Sequence, residues 1–231
     1  MRHRTRHGAA AVLTVSALLL TAAGCGSGDD SGDDSGDGSG DGGKGAGKVR
    51  ALLLTEKDLP SGYTKGQPGP TGSPATEADR PECAPIAAFL DERIEGATPG
   101  GSADFEGPGG TAQLSQQVFT FPDDGKAADF VRRIGPAVAK CAEFGASVGG
   151  EKMTIGVKGI DGPTVGEHSH TLNLTTEIEQ LQMSFDIQVL VAVEGSVMTR
   201  LTHVPGGAAD RKNFAGLAKR AGDKFVKGAR G

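Results

Sequence analysis

Apolar and polar positions divide the chain into three stretches of different character. From Ala9 to Leu20 every residue is apolar except Thr14 and Ser16, and then the pattern breaks. Residues 26–47 hold no apolar side chain larger than alanine. From Val49 onward, periodic apolar patterns begin and continue almost to the C-terminus. Val49 to Leu59 predicts a short helix ending at Pro60. Residues 61–81, rich in Gly, Pro and Thr, predict irregular chain. Ile86, Phe89, Leu90 and Ile94 recur at helical spacing just after Cys83. Residues 96–110 predict a loop with a short strand near Phe105, and Leu114 to Phe121 predicts a strand. Pro122-Asp123-Asp124-Gly125 supplies a turn and an N-cap. Ala127, Phe130, Val131, Ile134, Val138, Cys141 and Ala142 then form one helical stripe, which Gly135-Pro136 should kink. Met153 to Val157 is a candidate strand.

Period-two alternation follows. His168, His170, Leu172, Leu174, Thr176 and Ile178 share one face, and Met183 to Val193 alternates more cleanly, as a half-buried antiparallel strand does. Glu194-Gly195 turns the chain into a further strand, Val197 to Val204. A last helix, capped by Asp210, carries Phe214, Leu217, Ala218, Ala221 and Phe225. Strands linked as hairpins imply an antiparallel sheet. The predicted fold is therefore α+β, with four to six antiparallel strands packed by helices and one disulfide, in a single domain over 48–231.

Composition and charge place this domain behind an export segment. Arg2, Arg4 and Arg6 precede an apolar run of about a dozen residues, short of the roughly 20 needed to span a bilayer. A charged start, a short apolar run and a small-residue exit make residues 1–24 a secretory signal peptide. Without an Arg-Arg pair, the general secretory route is expected. The stretch 26–47, built of Gly, Ser and Asp, cannot bury enough to offset its ordering entropy and reads as a disordered tether. A flexible coil of that length spans roughly 25 Å. It lacks the repeat of calcium β-rolls and the terminal Glu of an EF-hand. Net charge is -5, so there is no general basic field and nucleic acid is not an expected partner.

Ala22-Ala23-Gly24-Cys25 resembles the lipobox of bacterial lipoproteins. The resemblance implies cleavage before Cys25 and a diacylglyceryl thioether on it, with palmitate-type acyl chains. Residues 25–47 are then a lipidated cysteine and its tether, and the domain is held at the extracytoplasmic face of the cell membrane. Two acyl chains suffice for stable anchoring. Cys83 and Cys141 remain. In an oxidising compartment two cysteines can form one bond, closing a loop of nearly 60 residues. Two buried thiols, or a nucleophilic cysteine, are the other readings. The nucleophile lacks a Cys-x-x-Cys partner or a nearby His.

The segments P-E-C-A (81–84), L-S-Q-Q-V-F-T-F-P-D-D-G-K-A-A-D-F-V (114–131) and K-C-A-E-F (140–144) resemble the extracellular sensor domain of actinobacterial receptor Ser/Thr kinases and related lipoproteins. That family places a cysteine before a helix, leads a Phe-Pro strand end into an Ala-rich helix, and closes that helix with Cys-Ala. Its Trp before the second cysteine and its second disulfide are absent here. The resemblance implies a sheet-and-helix domain with a cleft for an extracytoplasmic ligand, and no catalytic residues.

Side chains with metal or catalytic chemistry are few. His168 and His170, two apart on a strand, point the same way and could share an ion if His203 or another group joined them. Two ordinary strand histidines fit the pattern better, and no metal or cofactor is expected. There is no nucleophile elbow, P-loop or dinucleotide fingerprint. Lys212, Lys219, Arg220, Lys224 and Lys227 on the last helix read as a solvated face. The expected function is a non-enzymatic, membrane-anchored domain that binds a small molecule, a lipid or an envelope protein, in the manner of a sensor. The alternatives are a lipid or glycolipid carrier and, behind it, a cell-wall hydrolase or its regulator. A sheet packed solid on both faces would count against the carrier.

Overall fold

The computed structural model describes residues 48–69, 75–148, 150–178 and 181–231. The signal peptide, Cys25 and the tether lie outside them. The described residues fall within one compact unit, Ser39–Gly231.

Nine strands form a single sheet among the described residues: β1 (Thr64–Lys65), β2 (Glu77–Ala78), β3 (Thr98–Glu106), β4 (Gln113–Thr120), β5 (Glu143–Val148), β6 (Glu151–Gly159), β7 (His168–Ile178), β8 (Met183–Glu194) and β9 (Val197–Val204). Their order is β1-β3-β4-β9-β8-β7-β6-β5-β2, with antiparallel pairing throughout. Besides a short helical stretch at 48–52, which covers only the start of the helix expected over Val49 to Leu59, the described residues form four α-helices: α1 (Ala84–Leu90), α2 (Asp124–Arg132), α3 (Ile134–Lys140) and α4 (Ala208–Ala229).

The sheet is larger than four to six strands because β1 and β2 are only two residues long and β3 and β5 carry weak patterns. Only Phe105 is buried in β3, whose Thr-Pro-Gly-Gly start reads as loop. Pro99 is tolerated because β1 pairs only with the far end of β3, so the Pro99 region is a free edge. The β3–β4 register shifts between Pro99 and Gly101, a bulge at a glycine whose φ is 146°. In β5 only Phe144 and Ala146 are buried. These strands are imposed by their neighbours.

β5 to β9 form a meander, and the earlier β3–β4 hairpin docks onto β9. β4 and β5, consecutive among the strands, therefore lie five strand spacings apart, about 24 Å. The 17 residues from Asp124 to Lys140 cover about 25 Å as helix. α2 and α3 thus bridge the sheet from one side to the other over one face. Asp123 caps α2, its carboxylate accepting from Lys126 N at 2.8 Å. The expected kink falls at Arg133, since Pro136 has no N–H to return to the Arg132 carbonyl. The His170 ring packs against the helix there, near Gly135 and the Val131 carbonyl. A Cβ on residue 135 would lie 2.8 Å from the His170 ring, so glycine is what lets the imidazole seat against the helix.

Two hydrophobic cores lie on opposite faces. Under α1, α2 and α3 sit Phe89, Phe119, Phe130, Phe144, Leu172, Leu174, Val189, Val191, Val193 and Met198, among others. Under α4 sit Leu52, Leu114, Val118, Leu190, Ala192, Leu201 and the stripe Phe214, Leu217, Ala218, Ala221 and Phe225. β8 is thus buried on both faces from Gln188 to Val193, not half-buried. α4 begins at Ala208 with Gly207 at its N-cap, which puts Asp210 inside the first turn and not at the cap. It still favours the helix dipole from there. Among the described residues, both cores draw on the chain from Val49 onward.

Candidate binding groove

α1 is apolar on all sides. Ile86, Ala87 and Phe89 are buried in the core. Its opposite stripe, Pro81, Ala84, Pro85 and Ala88, follows i, i+3, i+4, i+7 spacing and contains only small residues. Pro81 and Ala84 are exposed; Pro85 and Ala88 are half-buried. Facing them across a groove of about 940 Å³ is a charged stripe at the same spacing on and just after α2: Lys126, Asp129, Phe130 and Arg133. Phe121 and Phe130 line it, their ring centroids 5.7 Å apart, and Glu95 and Pro136 add to the rim. An apolar lining with a few polar groups suits a small-ligand site. The groove exists because the α1 stripe is too small to fill the space.

Both ends of α1 are tethered. At its start, Cys83 bonds Cys141 at the end of α3, with Cα atoms 5.4 Å apart, so the expected disulfide is present. At its end, Arg200 of β9 donates to the carbonyls of Phe89 and Asp91, and also to Gln117 Oε1. Helix C-termini leave carbonyls without partners, and a guanidinium satisfies two of them here. Arg200 is 5% exposed and its guanidinium lies 5.4 Å from the Phe119 ring. Burial draws its pKa down to about 10, against the favourable charges of Asp91 and Glu92, so it stays charged at neutral pH.

The groove's charges are unequally engaged. Arg132 pairs with Asp129 at 2.6 Å. Arg133 lies 5.7 Å over the Phe130 ring, and among the described residues no carboxylate pairs with it or with Lys126.

The histidines do not converge. His168 and His170 lie on the α1–α3 face of β7, while His203 lies beneath α4 on the other, its ring stacked 5.8 Å from that of Phe214. Its Nδ1 is 3.2 Å from Gln188 Oε1, and its Nε2 is buried without a partner among the described residues. Burial lowers the pKa of His203, against the Asp210 charge. Burial also lowers that of His170, helped by His168 and opposed by the Val131 carbonyl. Among the described residues no cluster of three or more His, Cys, Asp or Glu could hold a metal. Nor is any helix among them long and apolar enough to cross a membrane.

A smaller depression, about 490 Å³, sits at the β2–β5–β6 edge with Asp79 and Lys152 in its lining. The sheet between α4 and the three short helices is filled by the two cores. A ligand therefore has the helix groove available, not the covered centre of the sheet.

No protein-family model matches the chain, and no curated protein matches it. An Rv0999 ortholog of Mycobacterium smegmatis covers 80% of this chain and 95% of its own, at 12% identity and a TM-score of 0.43, too loose a likeness to carry an argument. The extracellular domain of PknH from Mycobacterium tuberculosis is similar over 80% of this chain and 96% of that one, at 18% identity and a TM-score of 0.55, and so has the same general fold.

Proposed function

We propose that this chain is a lipoprotein anchored through Cys25. Its domain, 48–231, works outside the membrane as a non-catalytic binding module of sensor type. The single observation that carries the binding role is the α1–α2 groove, which combines an apolar lining, unengaged cations and a wall tied at both ends. Likeness in fold to the extracellular domain of PknH supports a reading in which the domain works outside the membrane. The lipobox and the acidic tether support the anchor. A domain held at the outer face of the membrane would meet a small molecule, a lipid or an envelope protein. The filled cores speak against a carrier that holds an acyl chain on its sheet.

Two experiments test this. Labelled palmitate should enter the intact chain and the protein should fractionate with membranes, while Cys25→Ala should lose both. If that variant keeps its label, the anchor is misplaced. For binding, native mass spectrometry of the 48–231 segment from its own envelope should find a retained ligand that Ala88→Trp, which fills the groove, no longer retains. Retention unchanged by that substitution would move the site elsewhere.

A further inference from the structure

We infer that the groove selects an amphipathic ligand with one anionic end, a phosphate or carboxylate head on an apolar body. This rests on the binding role proposed above and narrows it to a chemical class. Lys126 and Arg133 are seven residues apart, so they lie on the same side of the helical path about 10 Å apart. Both line the groove, and neither has a carboxylate partner among the described residues. Arg132, next to Arg133, is already matched by Asp129 and contributes little net charge. The rim thus offers two uncommitted positive groups. Arg133 is also held over Phe130, which limits the rotamers it must give up on binding.

The opposite wall has the contrary character. Pro81, Ala84, Pro85 and Ala88 present no hydrogen-bonding side chain, and with Phe121 and Phe130 they favour an apolar body. Glu95, on the rim, disfavours a ligand that is negative along its whole length. A small inorganic anion would leave the apolar wall unused. A neutral amphiphile would leave the cations unused. Only a molecule with both parts satisfies both walls.

The test uses the 48–231 segment and three probes below their micelle concentrations: dodecyl phosphate, dodecyl maltoside and inorganic phosphate. Binding is followed by the amide shifts of Ala84, Ala88 and Phe130. Dodecyl phosphate should bind at least tenfold more tightly than either other probe. Lys126→Gln with Arg133→Gln should remove that preference, a tenfold loss being what one charge-assisted hydrogen bond is worth. Both sites are on the surface, and an unchanged melting temperature verifies the fold. Equal binding of the two dodecyl probes, both blocked by Ala88→Trp, would overturn the anionic selectivity and leave the binding role standing. Inorganic phosphate binding as tightly as dodecyl phosphate would overturn the amphipathic requirement. If no probe moves the groove amides, or Ala88→Trp changes nothing, the groove itself is wrong and both ideas fall. Should Ala88→Trp unfold, Ala84→Phe fills the same space.

Discussion

The two faces of the sheet are covered by opposite means. One face lies under α4, a continuous helix of 22 residues whose buried stripe runs from Phe214 to Phe225. The other lies under three helices of seven, nine and seven residues. Helices that short have little stability of their own, and nucleating each one is costly. They are held by particular contacts: the Cys83–Cys141 bond, Arg200 on the end of α1 and His170 at the α2–α3 kink. On the α4 face a continuous apolar stripe carries the cover, and ion pairs of Arg211, Lys224 and Arg230 with Asp186, Asp58 and Glu194 add to it. A broken cover depends on pins at its breaks, and it leaves a groove between its pieces. Stability and a binding surface thus trade against each other on one face only.

Removing a pin should cost most. Cys83→Ser with Cys141→Ser should lower the unfolding free energy by about 4 kcal/mol, the chain-entropy value for a separation of this order, measured in guanidinium. A loss below 1 kcal/mol would mean that the short helices hold themselves. Arg200→Met comes next, at about 2 kcal/mol, because it leaves buried carbonyls of α1 unsatisfied. Its thermal melt should drop, while a neutral result would make Arg200 a passenger.

The α4 face is tested by Gly222→Ala. Helix propensity alone favours alanine by about 1 kcal/mol. A Cβ there, however, would meet Val165 Cγ2 at 2.4 Å, and overpacking costs about 1–3 kcal/mol. Net destabilisation of about 1 kcal/mol is expected, and a stabilised variant would show slack beneath α4. The smallest effect is acid sensitivity. His170 and His203, one on each face, have folded pKa values below the usual 6.5. Their contribution is present above pH 6.5 and fades as pH falls through their folded values. Melting temperature should decline from pH 7.5 to 5.5, with each of His170→Gln and His203→Gln removing part of the slope. A slope that survives both would place the titrating group elsewhere.

Much of this was legible in the sequence where the buried face is strongly apolar. The bounds of β7 and β9 and the stripe of α2 and α3 as far as Cys141 follow from periodicity, and the kink follows from Gly135-Pro136; Ala142 lies past α3 and is exposed. β3 and β5 were hidden because partners, not side chains, make them strands. Asp210 has the chemistry of a cap, but the helix starts two residues before it, with Gly207 at the N-cap. The placement of His203 relative to His168 and His170 is a different case. Parity tells which residues of one strand share a face, but β7 and β9 are separated by β8, and only the register assigns their faces relative to each other. The groove left a trace that could have been read. Pro81, Ala84, Pro85 and Ala88 make α1 apolar on its second side as well, and a helix that is apolar all round should have two neighbours. Arg200 gave no such signal, since its alternation between Met198 and Thr202 looks like any strand.

The seam between β4 and β9 governs how the chain can assemble. Gln116 and Thr199, hydrogen-bonded across it at 3.1 Å, are 83 residues apart. Until β9 has been synthesised, the β3–β4 hairpin has nowhere to dock, and Leu114, Val118 and Phe119 stay uncovered. Contacts of such long range slow folding because the intervening chain must be closed before they form. This seam can therefore close only after the 80-odd residues between have been made, and the hairpin must be kept from aggregating until it does.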